Sequence, residues 1–114
     1  MNGWRAQEGR NEARRRVQNE WTSEAAGSFA ETFVCECGDP DCFAMIELTR
    51  AEYEHVRSRS TWFALAHNHE NPEVEVVVRE HDRYTLVNKV EGPAMRIALA
   101  SDPRSNATRP VLEP

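Results

Sequence analysis

The spacing of apolar positions changes twice along the chain, and each change marks a different element. Ala13, Val17 and Trp21 recur at i, i+4 and i+8 within residues 7–22, with Arg10, Arg14, Arg15 and Arg16 around them, which predicts one amphipathic helix. The small and polar run Thr22–Gly27 reads as a linker. From Glu31 the period shortens to that of strands. Thr32–Cys37, with Phe33, Cys35 and Cys37 on one face, and Phe43–Leu48 flank Gly38-Asp39-Pro40-Asp41, so a β-hairpin is predicted with its cysteines at the tip. Thr49 followed by Glu52 is a capping box, with Leu48 and Tyr53 placed for its hydrophobic staple, so a short helix is predicted from Arg50 to about Ser58.

A third strand, Thr61–Ala66, ends at His67-Asn68-His69-Glu70-Asn71-Pro72. Glu73–Glu80 and Arg83–Val90, on either side of His81-Asp82, predict a second hairpin. The fold class is therefore α+β: a small antiparallel sheet of two hairpins plus one strand with a short helix, preceded by an N-terminal amphipathic helix. Phe33, Ile46, Leu48, Tyr53, Phe63, Leu65, Val76, Val78, Tyr84 and Leu86 are the expected core. Three segments result: a helical extension and linker over 1–29, a core domain over 30–91 and a flexible tail over 92–114, disordered from Ser101 on.

Composition limits what such a core can do alone. The 114 residues are 39% hydrophobic, and the mean hydropathy is -0.71, so a metal staple would help a domain this size. A net charge of -5 repels phosphate and disfavours nucleic acid as a general partner. Met1-Asn2-Gly3-Trp4-Arg5 leads into polar residues and no later run is long enough to span a bilayer, so a soluble, cytoplasmic protein with no membrane partner is expected. In that compartment Asn106-Ala107-Thr108 is a coincidental sequon, and three cysteines stay reduced.

Those cysteines carry the chemistry. Cys35, Cys37 and Cys42 fall within eight positions around a turn, a spacing that converges thiolates on one soft ion, Zn2+ above all, one per chain. In a fully extended strand the first two sulfurs lie too far apart for one ion, so the backbone must bend at Glu36 or Gly38. Inert buried thiols are the plainer alternative, but Glu36, Asp39 and Asp41 alternate with the cysteines in a poor setting for core packing. The fourth ligand must come from elsewhere. His55 and His81 read as solvent positions, whereas His67 and His69 end a strand that can neighbour the hairpin. His69 is favoured, His67 is its rival, and Asp39 or Asp41 could ligate or support.

The runs Phe33-Val34-Cys35-Glu36-Cys37 to Cys42, Ile46 to Arg57, a histidine before Pro72-Glu73, and Tyr84 to Lys89 resemble a family of small uncharacterised bacterial proteins. That family shares a C-x-C, an L-T-x-x-E-Y-x-x-V-R stretch, a Pro-Gly-His segment and an N-terminal helix containing Asn-Glu, here Asn11-Glu12 and Asn19-Glu20. The resemblance covers about residues 10–90 and implies no activity. His67-Asn68-His69 stands where the family has Pro-Gly-His, which aligns its histidine with His69.

Other motifs fail on order or spacing. The contiguous His67-Asn68-His69 lacks the dispersal of a ββα nuclease, H-x-E does not precede a P-C-x-x-C, and no phosphate loop, nucleophile elbow or H-E-x-x-H is present. Three thiolates make zinc a poor Lewis acid, and no general base is obviously placed, so the chain is expected not to be an enzyme. The expected function is a non-enzymatic zinc-binding module for protein interaction or regulation, with a protein partner. One alternative is a nucleic-acid-binding regulator using Arg10, Arg14, Arg15 and Arg16, although these arginines read more readily as a solvated helix face. Another is a redox-responsive metal–thiolate switch in which oxidation of Cys35 or Cys37 ejects the metal.

Overall fold

The computed structural model describes residues 3–27 and 29–104. Its elements are α1 (Gly3–Ala25), β1 (Glu31–Val34), β2 (Met45–Leu48), α2 (Arg50–Val56), β3 (Trp62–Leu65), β4 (Glu75–Glu80), β5 (Thr85–Lys89) and α3 (Pro93–Ala100). The fold is mixed α+β. β1 and β2 form an antiparallel pair with Phe33 opposite Ile46, and the second antiparallel sheet has the order β3-β5-β4. The Glu36 N–H donates to the Ala64 carbonyl at 2.9 Å and so links the two sheets. No described helix is long and apolar enough to cross a membrane.

The capping box forms as the spacing of Thr49 and Glu52 requires: the Thr49 hydroxyl accepts from the Glu52 N–H, and the Glu52 carboxylate accepts from the Thr49 N–H. α2 then drops Tyr53 and Val56 into a cluster with Phe33, Ile46, Leu48, Ala64, Tyr84 and Leu86. Phe33 stacks on Tyr53 with ring centroids 4.7 Å apart. A second cluster joins Cys35 and Cys37 to Phe63, Leu65, Val87 and Ala98. Val76 and Val78, expected inside, are 50% and 43% exposed. β4 is an edge strand whose register shifts between Val77 and Arg79, and its inward position is taken by Glu75.

α1 docks by its polar face. Val17 is 39% and Trp21 71% exposed, so the narrow apolar stripe points outward. Asn11, Glu12, Arg16, Asn19, Glu20 and Ser23 are buried instead. Each of these buried side chains meets a partner that offsets lost hydration, with only Glu12 Oε1 and Arg16 Nε among their polar atoms left unpaired. Arg16 donates to the carbonyls of Ser60 at 2.6 Å and Ala98 at 2.8 Å, and Asn19 both donates to and accepts from the Val34 backbone. α1 is thus part of the packed body and not an extension of it.

The expected flexible tail from residue 92 is likewise corrected. Pro93 opens α3, because a proline in the first helical turn forfeits no internal hydrogen bond. Ala94 and Ala98, spaced i and i+4, are buried. The helices approach closely at Gly9, where an added Cβ would lie 3.0 Å from the Ala94 Cα. Beyond α3, Asp102 pairs with buried Arg57, which also binds Glu20 at 2.5 Å, and Arg104 bridges Glu20 and Glu54. The remainder of the expected tail, residues 105–114, lies outside the described residues.

Burial pushes the Asp102 carboxyl up, but the hydrogen bonds from Arg57 and its neighbours win and hold it at about 2, below its ordinary 3.8. A depressed carboxyl contributes stability above its unfolded value and loses it as pH falls through the folded one. Acid titration should therefore show the wild-type advantage over Asp102→Asn shrinking from pH 3.8 downward and gone below about 2.

Candidate metal centre

Both arms of the first hairpin end before the cysteines, since β1 stops at Val34 and β2 starts at Met45. The thiols therefore sit on a loop and not on extended strand, as a shared ion demands. Glu36 makes the bend. Its carboxylate, fully buried, accepts from Asn19 Nδ2 at 2.9 Å, the Tyr53 hydroxyl at 2.6 Å and the Ala64 N–H at 3.0 Å. Pinning this side chain into the protein interior leaves Cys35 and Cys37 free to face the same point from either side of it. Glu36 had argued against burial of this segment; it is buried because three donors from α1, α2 and β3 solvate it.

Gly38 lets α1 close over the loop. Asn11 Nδ2 donates to its carbonyl at 2.9 Å, and a Cβ there would stand 1.8 Å from Glu8 Cγ. Cys42 is returned by a turn in which its N–H donates to the Asp39 carbonyl at 3.1 Å. Asp39 Oδ1 accepts from the Asp41 N–H at 2.9 Å, so the exposed aspartates build the turn and neither joins the ligand set.

The fourth group arrives from the turn after β3. Asn68 takes φ 67°, a left-handed conformation that asparagine tolerates and glycine favours. The His69 N–H closes this turn on the Ala66 carbonyl at 3.2 Å. His69 Nδ1 then lies 3.6, 3.9 and 3.5 Å from the sulfurs of Cys35, Cys37 and Cys42. All four ligand atoms fall within 4.8 Å of one another, close enough to hold a metal ion.

Each sulfur also faces an N–H: Ala66 donates to Cys35 at 3.1 Å, Ala44 to Cys42 at 3.4 Å, and Arg15 Nη1 to Cys37 at 3.6 Å. Arg15 further donates to the carbonyls of Cys37 at 3.1 Å and Cys42 at 3.0 Å. One guanidinium thus ties two ligand backbones and a thiolate to α1. A hydrogen bond between Cys35 and Cys37 drives their acidities apart. The hydrogen bond from Cys35 holds Cys37 down to about 4, and the same bond, with burial, pushes Cys35 up.

His67 does not reach the thiolates. Its Nδ1 lies 3.0 Å from Glu80 Oε1 and its Nε2 3.0 Å from the Asp82 carbonyl, contacts that raise its pKa. The alternation of side chains past β3 turns it toward the β4–β5 hairpin. His55 packs edge-on against Trp62, and His81 stacks on Tyr84 and pairs with Glu52. The four arginines do not form one patch either. Arg10 and Arg14 are exposed, Arg15 serves the cysteine loop and Arg16 is buried over the Phe63 ring at 4.7 Å. The contacts of Arg15 and Glu36 with the cysteine loop and its supports are what the spacing of the chain did not disclose.

No protein family, curated protein or solved structure matches the chain.

Proposed function

We propose that the chain is a non-enzymatic, zinc-binding module for protein interaction or regulation, with Cys35, Cys37, Cys42 and His69 holding one Zn2+. One observation carries this reading. Tetrahedral zinc with Zn–S of about 2.3 Å and Zn–N of about 2.0–2.1 Å requires S···N edges of about 3.6 Å, and those to His69 Nδ1 are 3.5–3.9 Å. Three thiolates with one imidazole form a closed set with no position left for substrate, which supports a structural role. Exposed Trp21 and Val17 beside Arg14 offer a protein partner an apolar and basic surface. The division of the four arginines weakens the nucleic-acid alternative, since only Arg10 and Arg14 of that set remain exposed.

Elemental analysis of protein purified without chelator should find about one zinc per chain, as a four-ligand site implies, and Cys37→Ser should lose it. Metal-free wild-type protein from such a preparation would remove the reading. Arg15 acts through the ligands that it orients. Arg15→Met is therefore expected to lower zinc affinity about 10–100-fold in competition with a chromogenic chelator, with Arg15→Lys falling in between.

A further inference from the structure

The three sulfurs sit in unlike surroundings. Cys35 and Cys37 are 1% and 3% exposed, while Cys42 is half-buried. Cys35 accepts the shorter backbone hydrogen bond, 3.1 Å against 3.4 Å at Cys42. Cys37 faces the Arg15 cation, whose charge withdraws electron density from a thiolate. Oxidation of thiolates follows their exposure and their available charge.

We propose that Cys42 is the modification site of the centre, taking up oxidants of the hydroperoxide class, and that Arg15 keeps this chemistry off Cys37; the proposal rests on the zinc reading above. The Cys42 sulfur attacks one peroxide oxygen. An S–O bond forms, the O–O bond breaks, and hydroxide leaves with the electron pair and is protonated by solvent. Sulfur is oxidised to a sulfenate and the peroxide is reduced to water. A second thiolate of the set, within 4.8 Å, then attacks that sulfur. An S–S bond forms, the protonated sulfenate oxygen leaves as hydroxide, and two ligands are lost, which releases the zinc. This places the event on the cysteine that the sequence pattern did not single out for oxidation. The competing route is the open cleft of about 440 Å³ lined by Glu8, Cys37, Pro40 and His69, which leads to Cys37.

The test treats zinc-loaded protein of known metal content with equimolar hydrogen peroxide and dimedone, maps the adducts by mass spectrometry and follows zinc with a chromogenic chelator. Early dimedone label on Cys42 should exceed that on Cys35 or Cys37 about tenfold, with zinc release following it. Arg15→Met should raise the Cys37 share several-fold, while Arg15→Lys, which keeps the cation, should preserve the preference for Cys42. Even labelling of loaded protein, label on Cys37 first, or zinc release without reaction at Cys42 overturns this proposal alone. Unchanged labelling in Arg15→Met removes the part assigned to Arg15. Protein that holds no zinc at the outset refutes the zinc reading and this proposal with it.

Discussion

Stripping zinc from the purified protein is expected to abolish its cooperative thermal transition and its near-ultraviolet circular dichroism. A structural zinc contributes an apparent ~10–16 kcal/mol at neutral pH, against a typical net domain stability of ~5–15 kcal/mol. The geometry gives the metal leverage over more than its own loop. Cys35 and Cys37 are packed among Phe63, Leu65, Val87 and Ala98, so a loosened cysteine loop opens the cluster that seats α3. Arg15 and Asn11 tie the same loop to α1. The cluster around Phe33 and Tyr53 contains none of the ligands and meets theirs only through Ala66, so residual helix signal from α2 is compatible with this expectation. A metal-free form that melts cooperatively within about 5 °C of the loaded protein, a difference of only about 1 kcal/mol, would show the centre to be incidental to the fold.

Replacing Lys89 by methionine should have the next largest effect, a loss of about 3–5 kcal/mol in urea unfolding, because it leaves buried carboxylates without their cation. Lys89 Nζ lies 2.5 Å from Glu12 and also pairs with Glu75, and all three side chains are almost wholly buried. The ammonium joins α1 to both strands of the second hairpin. Two carboxylates sharing one ammonium leave a negative charge in the interior. Burial pushes Glu12 up to about 8 from an ordinary 4.5, against the pull of Lys89. A raised carboxyl favours the folded state at low pH and loses that contribution as pH rises through its folded value. The stability of the wild-type protein should accordingly fall between pH 4.5 and about 8, and Glu12→Gln should flatten that fall. Removing Glu12 together with Lys89, as Glu12→Met/Lys89→Met, should cost less than the sum of the single changes. Additive losses would mean that the pair is not coupled.

What could be read from the sequence was what depends on neighbours in the chain. The capping box of Thr49 and Glu52, the hairpin around Gly38 to Asp41 and the clustering of three cysteines are local patterns with local causes. His69 could be narrowed down because a strand ending near the cysteine hairpin puts few histidines within reach. The misreading of α1 has a physical reason: its apolar residues face water and its polar residues face protein, since Arg16, Asn19 and Glu12 each find a buried partner more than ten residues away in sequence. A signal was present in the spacing of Glu12, Arg16, Asn19 and Ser23, one face of a helix written in polar residues. The two Asn-Glu pairs fall on that buried side, with Asn11, Glu12, Asn19 and Glu20 all among the buried residues. α3 was missed because alanines at i and i+4 carry little hydrophobic signal; Ala94 gains its value against Gly9 of α1, and Ala98 against the cluster of Phe63 and Leu65.

The function proposed for this chain depends on three sulfurs and one imidazole sharing a single ion. X-ray absorption at the zinc edge of the loaded protein tests this directly. The account requires three sulfur scatterers at about 2.3 Å and one nitrogen at about 2.0–2.1 Å. A first shell of nitrogen and oxygen only, or one in which replacing His69 leaves the nitrogen signal unchanged, would contradict it.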